Sequence, residues 1–135
     1  MTKDELLSVK RIADELDKKS ADVSGMELLT ESLTTVMDGL PKGTTLKSSV
    51  EAIALKKVMA EREIEELRGR LALAKQRLTR LILDEVQGTT LQTVLIYRYV
   101  KLETWSQIAK AMNLDRRWLF RLNQKFATTC HCATP

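Results

Sequence analysis

Between residues 116 and 125 the chain gathers Arg116, Arg117, Arg121 and Lys125 with Trp118, Phe120 and Gln124. At about 100° per residue, Arg117, Phe120, Arg121 and Gln124 fall on one face of a helix, flanked by Arg116 and Lys125. These residue types suit the major groove of DNA. Arginine can fork onto guanine, glutamine onto adenine, lysine can sit on phosphate, and a phenyl ring can touch a thymine methyl. Trp118 lies at the edge of this face, where it serves either as packing or as a DNA contact. The bland alternative is a solvated basic face that binds nothing.

Such a face needs a helix that is anchored on its other side. Leu119, Leu122 and Phe126 provide the apolar stripe of a recognition helix over 115–126, and Trp105, Ile108, Ala109 and Met112 provide that of a preceding helix. Between the two, Asn113 tolerates a left-handed backbone, Leu114 can plug the angle, and Asp115 is a good N-cap. This is the pattern of a helix-turn-helix. Thr104 and Gln107 form a capping box at the start of the first helix and complete the set of expected DNA-binding residues. A third helix is required to close so small a core. The apolar, β-branched segment LQTVLIYRYV, opened by a capping box of Thr89 and Gln92, is read as that scaffold, with Leu91, Val94, Leu95 and Tyr99 facing Trp105, Ile108 and Leu119.

Charge is concentrated at the same end. Counting Lys and Arg against Asp and Glu, residues 1–47 carry 7 against 9, residues 48–86 carry 8 against 7, and residues 87–135 carry 7 against 2, although the whole chain is only +4. A field so placed attracts a polyanion, with affinity that falls as salt rises. Enzyme chemistry finds no comparable support. The single histidine, His131, sits between Cys130 and Cys132 in the last six residues, a triplet with no second ligand cluster to complete a zinc site. The short GLPKGT segment lacks the glycine spacing of a phosphate loop. No metal, no cofactor and no catalytic residue is therefore expected. With no apolar run of membrane length and no secretory signal, the expected compartment is the cytoplasm.

The N-terminal two thirds read as long helices. Thr2 and Glu5 form a capping box before an apolar series from Leu6 to Met37, with a kink or break expected around Ser20–Gly25. A loop is read at 38–47, where two glycines, a proline and two threonines cluster. Ser48 and Glu51 would cap the return helix, in which Ala60, Ile64, Leu67, Leu71, Ala74, Leu78 and Leu81 alternate four and three apart as a coiled-coil seam. Surplus apolar positions at Leu55, Val58, Leu73 and Leu83 argue for self-association, a dimer being favoured. The expected fold is all-α, a long antiparallel, coiled-coil-like helical hairpin over 1–86 followed by a small helix-turn-helix domain over 87–127 and a flexible tail over 128–135.

The C-terminal third, VLIYRYVKLETWSQIAKAMNLDRRWLFRLNQKF, resembles region 4 of sigma-70-type transcription factors. The likeness is carried by Arg98 and Tyr99, Trp105, the Ile108–Ala109 pair and Leu114. The whole layout is similar to small phage and prophage regulators of the RinA and ArpU type, through Arg98, Tyr99, Thr104, Trp105, Gln107, Ile108, Ala109 and Met112. That resemblance implies a phage-encoded transcriptional regulator, a late-gene activator acting on double-stranded DNA, with host RNA polymerase as a further candidate partner. Arg117 and Trp118 stand where sigma proteins usually carry small or hydroxyl residues. Two other readings fit the same layout: a DNA-packaging oligomer like a small terminase subunit, and a coiled-coil interaction protein that contacts RNA polymerase.

Overall fold

A computed structural model describes residues 1–38 and 44–129, and every element in it is helical. In order these are α1 (Lys3–Asp38), α2 (Thr44–Glu85), α3 (Thr89–Leu95), a π-helical turn (Ile96–Val100) that continues α3, α4 (Trp105–Met112) and α5 (Arg116–Thr129). The fold is all-α, an antiparallel helical hairpin followed by a helix-turn-helix. No helix among the described residues is long and apolar enough to cross a membrane.

The helix ends follow local chemistry, with some departures from expectation. The Thr2–Glu5 capping box forms, Glu5 accepting from the Thr2 N–H at 2.8 Å and Thr2 Oγ1 from the Glu5 N–H at 3.2 Å. The expected break near Gly25 does not occur, and α1 runs through it without interruption. A single glycine costs a helix about 1 kcal/mol. The flanking apolar anchors, Val23 among them, outweigh that cost. Helix also extends into both margins of the expected loop. Asp38 ends α1 and α2 opens at Thr44 rather than Ser48, because no breaker follows Gly43. Residues 39–43 and the Cys130–His131–Cys132 triplet lie outside the described residues, whereas Thr128 and Thr129, expected in the tail, belong to α5.

Two compact units emerge, residues 14–69 and residues 1–13 with 70 onward. In the first, Val23 of α1 packs with Ala60 and Ile64 of α2, joined by half-buried Leu16. Charged pairs flank this seam: Lys57 meets Glu27 at 3.1 Å, and Lys19 is hydrogen-bonded to Glu63, whose carboxylate raises the Lys19 pKa. Ala60 and Ile64 are the first two positions of the seam read from the heptads.

The second unit holds the larger core. Leu6 and Val9 from α1, Leu78 and Ile82 from α2, Val86 just beyond it, Leu95 and Val100 from the third helical segment, and Phe126 from α5 form one buried cluster. The Met1 ammonium also reaches Glu85 at 2.7 Å. The start of α1 and the end of α2 thus share a core with the C-terminal helices. Burying side chains of this size stabilises the folded state by about 1.5–3 kcal/mol each.

Candidate nucleic-acid interface

A second cluster positions the basic helix. Val94, Ile108 and Leu119, one from each of α3, α4 and α5, are fully buried and meet at its centre. Tyr97, Trp105, Ala109, Met112, Leu114 and Leu122 close around them. Leu114 fills the angle between α4 and α5, as its place in the turn suggests. The expected partners from α3 divide differently. Val94 faces Ile108 and Leu119, but Leu91, Leu95 and Tyr99 turn to the cluster built on Leu6, Val9 and Ile82. The reason is that α3 is sandwiched. It has two apolar faces, and a sequence pattern that marks both as buried does not say which neighbour each one meets.

The turn between α4 and α5 is tightly specified. Asn113 adopts φ 56° and ψ 45°, the left-handed conformation that ends α4, and its N–H donates to the Ala109 carbonyl. The Leu114 N–H reaches the same carbonyl at 2.9 Å. Asp115 then caps α5, its Oδ1 accepting from the Arg117 N–H at 3.2 Å. At the other end of α4 the Thr104–Gln107 capping box is complete, with Thr104 Oγ1 accepting at 3.2 Å and Gln107 Oε1 at 2.9 Å.

The capping box expected at Thr89 does not form. Gly88 is the N-cap residue of α3, with φ 99°, and no side chain caps the helix. Gln92 instead donates to the carbonyls of Val86 at 2.8 Å and Leu83 at 3.3 Å, satisfying the end of α2. A motif that fits one helix start has been used to close the preceding helix end.

Residues outside the expected site hold it in place. The Arg98 guanidinium lies 4.8 Å above the Trp105 ring and donates to the Glu103 carbonyl at 3.1 Å, fixing the approach to α4. The segment before α4 also contains Leu102 at φ 58°, a left-handed conformation rare for a leucine. Its side chain packs on the larger core, which offsets the backbone strain. Tyr99 donates to Asn123 Oδ1 at 3.0 Å and so ties the π-helical turn to α5. The sequence marks Arg98 and Tyr99 through the resemblance, but carries no signal for Leu102 or for the Asn123 contact.

With Leu119 and Phe126 buried and Leu122 half-buried, the rest of α5 divides into three strips. Arg117, Arg121 and Gln124 are exposed on the strip turned away from the core. Arg116 and Phe120 form the strip beside α4, where Phe120 meets Trp105 edge-on. Trp118 and Lys125 form the opposite strip and line a cleft of about 600 Å³, whose other wall includes Val86, Gly88 and Leu91. All seven of these α5 residues, with Thr104 and Gln107, are exposed. The outermost strip therefore holds two guanidiniums and an amide, while Trp118 and Lys125 stand to one side of it.

Comparison with protein-family models, with curated proteins and with solved structures finds no match to this chain.

Proposed function

We propose that this protein is a sequence-specific DNA-binding transcriptional regulator of the phage type, which lays α5 in the major groove of double-stranded DNA and acts as a homodimer. The observation that carries the reading is the outer strip of α5. Arg117, Arg121 and Gln124 are exposed side by side on a helix whose opposite face is locked into a core by Leu119 and Phe126. A rigid helix that presents guanidiniums and an amide at i, i+4 and i+7 matches the hydrogen-bonding edges of guanine and adenine. Arg116 and Lys125, one on each flank, are placed to take phosphates on either side of a groove. Thr104 and Gln107, at the start of α4, offer additional polar contacts to the backbone beside it.

The concentration of positive charge in residues 87–135 supports the same reading, because the steering field and the reading helix coincide. The resemblance to sigma region 4 and to the RinA and ArpU type regulators supplies the role, control of late genes in a bacterial host, with RNA polymerase as a second partner. The test is selection of bound sequences from phage DNA at two salt concentrations. A recurrent motif retained at the higher salt supports sequence-specific regulation, and uniform recovery of all sequences would contradict it. A ring of many subunits in solution would instead favour the packaging role.

A further inference from the structure

Charge is sorted along α2. Residues 51–66 carry Glu51, Glu61, Glu63, Glu65 and Glu66 against Lys56, Lys57 and Arg62, whereas from Leu67 to Leu83 there are five basic residues and no acidic one. The near-even count over the whole helix hides this division. Four of the five, Arg70, Lys75, Arg77 and Arg80, fall in the compact unit that also carries α5, and all four are exposed. Among the described residues none of these four forms an ion pair, whereas Lys57 and Arg68 are held by Glu27 and Glu65. Their charge is not offset within the unit and adds to the field of the C-terminal helices.

Arg70, Arg77 and Arg80 lie along one line of the helix, at i, i+7 and i+10, on the side away from buried Leu78 and Ile82. Arg77 and Arg80, with Gln76, line one depression of about 340 Å³, which Asp84 closes at the end of the basic run. Two guanidiniums and an amide form a donor set suited to a phosphate. Leu73 interrupts the line, and a single exposed leucine is ordinary on a protein surface.

The line starts beside the reading helix. Ile82 shares a buried cluster with Phe126 of α5, and Glu85 and Val86 wall the cleft that Trp118 and Lys125 close from the other side. The end of α2 therefore stands on the Lys125 flank of α5, and the arginines lead away from there. Glu85 is neutralised by the Met1 ammonium.

We propose that the carboxyl-terminal half of α2 is a second DNA contact, in which Arg70, Arg77 and Arg80 hold backbone phosphates next to the sequence that α5 reads, on its Lys125 side. The inference rests on α5 being the reading helix. A line of about 15 Å runs beside roughly four base pairs of duplex. Contacts of this kind fix register and add affinity without base preference. An acidic protein would meet the same charges, but the line continues from the flank of α5 within one compact unit, which favours the duplex that α5 occupies.

The test compares the full chain with a variant carrying Arg70→Gln, Arg77→Gln and Arg80→Gln on two duplexes, one cut to the motif recovered by selection and one extended on both sides. Glutamine has a helix propensity close to that of arginine, and circular dichroism checks that the fold persists. On the extended duplex the variant is expected to bind about tenfold more weakly or worse at low salt, with the slope of log K against log salt reduced by about 2 to 3. On the short duplex the difference should shrink. Lysine at the same three positions should retain most of the slope, because charge and not base reading is at work. If the glutamine variant matches wild type on the extended duplex while Arg117→Ala weakens binding, the second contact is overturned and the reading helix stands. If Arg117→Ala and Arg121→Ala also match wild type, both fall. An unchanged DNA slope with lost retention on polyglutamate would assign the line to an acidic protein and overturn the proposal.

Discussion

Phe120 of α5 meets Trp105 of α4 edge-on, with ring centroids 6.5 Å apart and planes inclined at 77°. Phe120 is nevertheless 51% exposed, so one face of the ring packs while the remainder borders the expected groove. In the proposed reading the same residue serves stability and recognition. An edge-to-face pair contributes about 0.5–1.5 kcal/mol beyond its buried area. Phe120→Ala is expected to lower stability by roughly that amount and also to weaken DNA binding, whereas Phe120→Leu should recover part of the stability. Urea midpoints and fluorescence anisotropy on labelled duplex separate the two effects.

The capping box at Thr104 makes a cleaner test of how α4 is held. Both of its hydrogen bonds are local, and neither residue is buried. Thr104→Ala should cost about 0.5–2 kcal/mol and Thr104→Ser much less. Thermal unfolding followed by circular dichroism measures both.

The shared core predicts that the helix-turn-helix is not self-sufficient. Ile82 is fully buried in α2, in one cluster with Leu95 and Phe126. Ile82→Ala should destabilise by about 2–5 kcal/mol. Removing residues 1–13, which takes away Leu6 and Val9, should lower the unfolding midpoint of the C-terminal helices as well. If amide exchange in α4 and α5 were unchanged by that deletion, the coupling would be refuted.

Lys125 lies on the flank of α5 rather than on its outermost strip, which makes it a phosphate contact in this account. Lys125→Ala is expected to weaken binding nearly equally across DNA sequences and to reduce the slope of log K against log salt by about 1. Titrations at several salt concentrations with cognate and scrambled duplexes measure both quantities. A selective loss on the cognate duplex would instead assign it to base reading.

Much of this arrangement is legible in the sequence alone. The stripes of Trp105–Met112 and Leu119–Phe126, the left-handed Asn113, the plug at Leu114, the cap at Asp115 and the seam from Ala60 to Leu78 all follow from local rules, because each depends on spacing or on one residue's conformational preference; at the end of the seam the expected Leu81 gives way to Ile82, which is the residue the core buries. What escapes such rules depends on tertiary choices. The side on which Leu95 and Tyr99 pack is not readable from α3, since both of its faces are apolar. Gln92 has two helix ends within reach and closes the earlier one. The π-helical turn and the left-handed Leu102 are sustained by packing, and the sequence carries no turn residue to mark them. The exposed face of α5 follows directly from its buried stripe, whereas the cleft beside Trp118 depends on the position of Val86 and Leu91.

The central claim is that the outer strip of α5 reads bases. Its most direct measurement is the affinity and base preference of Arg117→Ala and Arg121→Ala on a selected site, compared with wild type at the same salt concentration. Each substitution is expected to cost about 1–3 kcal/mol and to relax specificity at particular base pairs, with the fold intact. If both variants bind that site as tightly and as selectively as wild type, α5 is not the reading helix.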